Sequence, residues 1–168
     1  MTVILWDFTD PAAVLDWGPI NDVVMGGRSS GRLEATEDQT VAFLGSVSLE
    51  NNGGFASVRT RPREHDLGGC AGLELWVRGD GKRYKINLES DSSSPGVLWA
   101  TAFEASQDSW ERLRLPFSDF EPTFRGRAVH GGNDLDLRRI TSFGLMISGA
   151  QEGPFRLELA RLGIFRVE

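Results

Sequence analysis

The sequence has one cysteine, so no internal disulfide can close, and Cys70 excludes a cross-linked framework as the source of stability. With only two histidines, His65 and His130, set far apart, it offers no zinc-ligand spacing, and no metal is expected. Positive charge is also short: 18 Lys and Arg stand against 24 Asp and Glu, a net charge of -6. That excludes a sequence-independent grip on phosphate backbones, so nucleic acid is not an expected partner. No apolar run approaches the roughly 20 residues of a membrane span. The start, MTVILWDFTDP, has neither a basic n-region nor a long apolar core, so no signal peptide is expected and the chain reads as cytoplasmic. No long stretch carries a 3.6-residue apolar stripe, and no G-x-G-x-x-G opens a helix, so no cofactor is implied.

What is present is a series of short apolar runs punctuated by Gly, Pro, Asn and Asp. Val3–Phe8, Leu33–Ala35, Val41–Leu49, Phe55–Thr60, Leu73–Val77, Tyr84–Leu88, Val97–Phe103 and Trp110–Leu115 read as strands. Phe143, Leu145, Ile147 and then Phe155, Leu157, Leu159 alternate most cleanly. Short helical turns are expected at Phe117–Phe120, with Ser118 as its cap, and from Asp134 to Ile140. Asn51-Asn52-Gly53-Gly54 and Gly79-Asp80-Gly81 read as the turns of two hairpins. Ten Phe and five Trp against one Tyr suit an apolar sheet core. The pattern predicts an all-β sandwich of antiparallel strands, one domain over residues 1–168.

The segment Trp17–Gly31, WGPINDVVMGGRSSG, has little periodicity and reads as a structured loop plugged by Trp17. Gly27–Gly31 matches the G-x-S-x-G pattern around Ser29, but a nucleophile elbow needs a helix next, and RLEATEDQT has no helical stripe. Gly26 and Gly31 have phosphate-loop spacing, with Arg32 and Leu33 where Lys and Ser or Thr belong. Loop carboxylates at Asp7, Asp10, Asp22, Asp134 and Asp136 lack the ordered spacing of a calcium loop, and nothing pairs Glu89, Asp91 and Glu104 for glycoside hydrolysis. No catalytic residue is therefore assigned.

WGPINDVVMGG, AFLGSVSLENNGGFASVRTRP, GLELWVRGDGKRYKINL and FEPTFRGR, in that order, resemble the complex I intermediate-associated protein 30 family over nearly the whole chain. The resemblance implies a galactose-binding-domain-like jelly roll. It also implies a non-catalytic role like that of the mitochondrial members, which are assembly factors holding intermediates of respiratory NADH:ubiquinone oxidoreductase. The expected partner is thus a protein client, with respiratory complex subunits as its specific form. A carbohydrate is the alternative, with Trp17, Trp99, Trp110 and Arg125 as contacts. The family pattern falls on Trp17, Asn21, Asp22, Met25, Ser29, Arg59 and Arg125. These, with Trp99, are the candidate binding residues, and Asp22 is expected to pair with Arg59 or Arg125. Exposure of aromatics such as Trp76 or Trp99 would support the client reading, since aromatic anchors dominate interfaces.

Overall fold

The computed structural model describes residues 2–21, 30–50, 54–91, 96–124, 127–129, 135–149 and 151–166, with the side chains of 20 and 21 left aside. Its strands are β1 (Thr2–Asp7), β2 (Trp17–Asn21), β3 (Ser30–Ala35), β4 (Val41–Val47), β5 (Ala56–Thr60), β6 (Gly72–Arg78) and β7 (Arg83–Ser90). They continue as β8 (Val97–Glu104), β9 (Glu111–Pro116), β10 (Glu121–Phe124), β11 (Arg127–Ala128), β12 (Ile140–Ile147) and β13 (Gly153–Phe165). Short 3-10 turns at Pro11–Asp16, Phe117–Asp119 and Leu137–Arg139 link them.

These strands form two antiparallel sheets. A six-stranded sheet runs β3-β4-β13-β6-β9, with β1 also on β13, and a seven-stranded sheet runs β11-β10-β8-β7-β12-β5-β2. Alternation decides what each sheet turns inward. Leu73, Leu75 and Val77 of β6 and Phe155, Leu157 and Leu159 of β13 face Tyr84, Ile86 and Leu88 of β7 and Phe143, Leu145 and Ile147 of β12, all buried. Each such side chain contributes roughly 1.5–3 kcal/mol on burial. An aromatic chain crosses the gap: Phe43 meets Tyr84 and Phe155, and Trp6 meets Trp17 and Phe143.

The two expected hairpins are not hairpins. β4 and β5 lie in different sheets, and so do β6 and β7, so both Gly-rich connections carry the chain from one layer to the other. Turn chemistry specifies a reversal but not a pairing; here both flanking strands put their apolar faces into one core from opposite sides. The loop expected over residues 17–31 begins and ends in strands: Trp17–Asn21 pairs with β5, and Ser30–Ala35 pairs with β4. Pro116, not Ser118, precedes the turn at Phe117, and it supplies no side-chain cap. The β10 strand was not expected; its Thr123 and Phe124 pair with both β8 and β11.

At the Gly79–Gly81 connection, the Tyr84 hydroxyl donates to both Asp80 carboxylate oxygens at 3.0 Å. Asp80 also accepts the Arg156 N–H at 2.9 Å, so one carboxylate ties β13 to the corner between β6 and β7. Burial, and then the Asp80 charge, push the Tyr84 phenol far above its ordinary value, keeping it a donor.

Candidate functional site

Strand alternation also fixes what each sheet turns outward. On the seven-stranded sheet, register aligns Gly18, Arg59, Gly144, Asn87, Ala100 and Glu121 in one cross-strand row. The neighbouring row carries Ser57, Met146, Lys85 and Ala102. Small residues dominate the middle of this face, and the larger side chains lie down over them. Ser142 and Gly144 leave room for Arg59 to reach from β5 across β12 towards Glu89 on β7, with Arg59 Nη1 3.9 Å from Glu89 Oε2. That is longer than a hydrogen bond, and the Arg59 and Glu89 side chains remain 26% and 37% exposed, so the pair is loosely held.

Asn87 is the unusual group. It is 3% exposed on a face that points away from the core, and its amide oxygen lies against Gly144, where a methyl group would overlap it. Its amide makes no hydrogen bond to any described side chain or loop backbone. Among the described residues Trp17 Nε1 is the only fully buried side-chain polar atom without a partner, so the Asn87 amide keeps contact with solvent at the bottom of the trough. An amide in that position offers one acceptor and two donors to whatever enters. Among the described outward residues of this sheet no aromatic ring is present.

The sequence-derived candidates whose side chains are described, Trp17, Arg59 and Trp99, do not converge. Arg59 lies in the trough and faces Glu89; its expected partner Asp22 falls outside the described residues, as do Arg125, Met25 and Ser29. Asn21 ends β2, paired with Ala56. Trp17 is a core plug, edge-on to Trp6 with ring centroids 5.3 Å apart, and its indole N–H lacks a partner. Trp99 pairs in register with Leu88 on the inward face and packs half-buried against the core, so it is no exposed anchor. Trp110 stands on the opposite sheet, so Trp17, Trp99 and Trp110 form no common sugar platform. The residues following Ser29 form β3, a strand where an elbow needs a helix. Asp7 is held by Thr9, while Asp10 and Asp136 cap 3-10 turns, so these carboxylates are already engaged. Bonds from Thr9 hold the Asp7 carboxyl below its ordinary value. Asn87, Gly144 and Ser142, which the register brings beside Arg59, were not among the sequence-derived candidates. Asn87 sits between Ile86 and Leu88, where a polar residue reads as ordinary alternation.

The strands define an all-β, two-sheet antiparallel sandwich of the galactose-binding-like kind. The family 11 carbohydrate-binding module of the cellulosomal cellulase Lic26A-Cel5E of Clostridium thermocellum superposes with a TM-score of 0.71. That likeness covers 99% of this chain and 95% of the module at 18% identity, and it shows the fold. The family itself comes from the sequence: the chain belongs to the Complex I intermediate-associated protein 30 family, whose profile matches residues 6–159. It is 27% identical to the mitochondrial Complex I intermediate-associated protein 30 of Mus musculus, over 96% of this chain and 56% of that protein. The protein of the same name from Drosophila melanogaster is 26% identical, over 97% of this chain and 62% of its own length. The chain thus spans little more than half the length of these relatives. Among the described residues no helix is long and apolar enough to cross a membrane.

Proposed function

We propose that the chain is a non-catalytic, client-holding domain, that its trough on the seven-stranded sheet receives an extended stretch of polypeptide, and that the client belongs to assembling respiratory complex I. The Asn87 amide carries this reading. It is sunk among small residues, lacks a bonded neighbour and matches the paired donor and acceptor of a peptide group. Gly18, Gly144 and Ala100 let a backbone approach closely, and the loosely held Arg59 can swing to a carbonyl or carboxylate. The names of the family's mitochondrial members support complex I as the source of the client. The lack of an outward aromatic platform among the described residues of this face weighs against a carbohydrate there.

The test is affinity capture of the tagged chain on detergent-solubilised respiratory membranes, with NADH:ubiquinone oxidoreductase subunits quantified by mass spectrometry. Enrichment is expected for the wild type and a fall of at least tenfold for Asn87→Trp, which fills the trough. Lys85→Glu, a charge reversal at a half-buried position two residues from Asn87 on the same outward face of β7, is expected to weaken capture several-fold. Absence of enrichment, or enrichment that both variants leave intact, would overturn the reading.

A further inference from the structure

The opposite face of the sandwich holds a second site, built around an interruption in β13. β13 pairs with β4 as far as Leu159↔Val41 and with β1 from Arg161↔Asp7, so Ala160 falls between the two neighbours. The register with β6 slips at the same point, between Leu159 and Arg161, a bulge of the kind that often borders functional sites. A pocket of about 390 Å³ opens over this gap, at the small end of the ~300–1,000 Å³ range of ligand sites. Trp76 and Trp110 form its apolar walls, Arg78 lies between them, and Asp38 and Gln39 stand at its rim.

These groups are fixed before anything binds. Arg78 Nη2 is 2.6 Å from Glu158 Oε2, and its guanidinium lies 5.2 Å from the Trp110 ring centre. Trp110 is thereby a capped wall, while Trp76, 38% exposed, is the more open of the two. The rim turn is braced through Thr36: its N–H donates to the Thr40 carbonyl at 2.9 Å, and its hydroxyl accepts from the Asp38 N–H at 3.2 Å. That bracing holds Gln39 at φ +60, a left-handed conformation that residues with a side chain rarely adopt. Strain of this kind, maintained by its surroundings, concentrates at ligand clamps.

Charge selects the ligand. An anion entering the pocket meets the Asp38 carboxylate, and a cation meets Arg78, so neither net charge is favoured. The remaining chemistry is one apolar ring face for Trp76 and hydrogen-bond donors and acceptors for Asp38 and Gln39 around the edge. We propose that this pocket binds a neutral pyranose sugar, laid on Trp76 with its hydroxyls turned to Asp38 and Gln39. The site is independent of the client-binding trough, since it lies on the other sheet and uses none of the same residues.

The test is a titration of the full chain with methyl glucopyranoside, methyl galactopyranoside and cellobiose, read on the indole N–H signals of the five tryptophans by NMR. With at least one of these sugars the Trp76 and Trp110 signals are expected to shift and saturate at millimolar concentration, while those of Trp6 and Trp17 stay fixed. Asp38→Asn combined with Gln39→Ala should weaken that binding at least fivefold, and Trp76→Ala should abolish it at unchanged thermal midpoint. No saturable shift with any sugar, or shifts confined to Trp17 or Trp99, or binding that survives Trp76→Ala, would each overturn the proposal. None of these results bears on client capture, which Trp76→Ala should leave intact.

Discussion

On the six-stranded sheet, the outward carboxylates are locked by arginines: Glu158 by Arg78 and Arg156, Glu74 by Arg114, and Glu34 by Arg32. On the seven-stranded sheet, Arg59 and Glu89 stand 3.9 Å apart, and Asn87 beside them bonds no side chain. The outward strand carboxylates of one sheet are paired with arginines; on the other, the Arg59–Glu89 pair is long and the Asn87 amide is unbonded. The difference follows from side-chain size. On β6 and β13 facing positions carry long charged groups, with Glu158 directly opposite Arg78. On β12 the facing positions are Ser142 and Gly144, too short to reach their neighbours.

The largest effect expected from this contrast is that of Glu158→Ala. The Glu158 side chain is 9% exposed, and its loss leaves Arg78 and Arg156 without their shared anion. A cost of about 2–3 kcal/mol is expected from chemical denaturation. Burial pushes the Glu158 carboxyl up, but bonds from Arg156 and Arg78 outweigh it and hold it below its ordinary value. Its contribution is therefore present above about pH 4.5 and is lost as pH falls through the lowered folded value.

Gly144→Val should come next, at about 1–2 kcal/mol, because its side chain displaces the Asn87 amide from the trough floor. Client capture should fall with it, whereas Glu158→Ala, once allowance is made for stability, should leave capture unchanged. Equal losses of capture in the two variants would erase the distinction between the sheets.

A smaller effect is expected at the seam. His65 sits against Trp6 of one sheet and Phe143 of the other, with ring centroids 5.7 and 5.2 Å away. Burial, and then the Arg63 charge, hold its imidazole below 6.5. Above about pH 6.5 the folded and unfolded chains both carry it neutral; below that, the unfolded chain takes up a proton that the folded one refuses. Stability should fall as pH drops from about 6.5 through the depressed value, and urea midpoints for His65→Gln should fall less over the same window. The smallest effect is that of Glu89→Ala, at most about 1 kcal/mol, because its pair with Arg59 is long and partly exposed.

Much of the sandwich was legible because period-two alternation in β12 and β13 requires one wet face and one dry face. Pairing was less legible: Asn51–Gly54 and Gly79–Gly81 have hairpin chemistry, yet each joins strands of different sheets. β2 was hidden because Gly18 and Pro19 break the apolar pattern, although its backbone pairs with β5 along its whole length. The trough was hidden for a different reason. Asn87, Ser142 and Gly144 are ordinary outward residues in sequence, and only register brings them under Arg59. Arg59 was named as a candidate because its neighbourhood resembles a family motif. Asp22, Met25, Ser29 and Arg125 lie outside the described residues.

The most direct measurement is site-specific photo-crosslinking in cells that assemble complex I, with a benzophenone amino acid placed at Lys85 on the trough rim or at Arg112 on the six-stranded sheet. Adducts with NADH:ubiquinone oxidoreductase subunits from position 85 and none from position 112 are expected. Adducts from position 112 alone, or equally from both, would contradict the division of labour between the sheets.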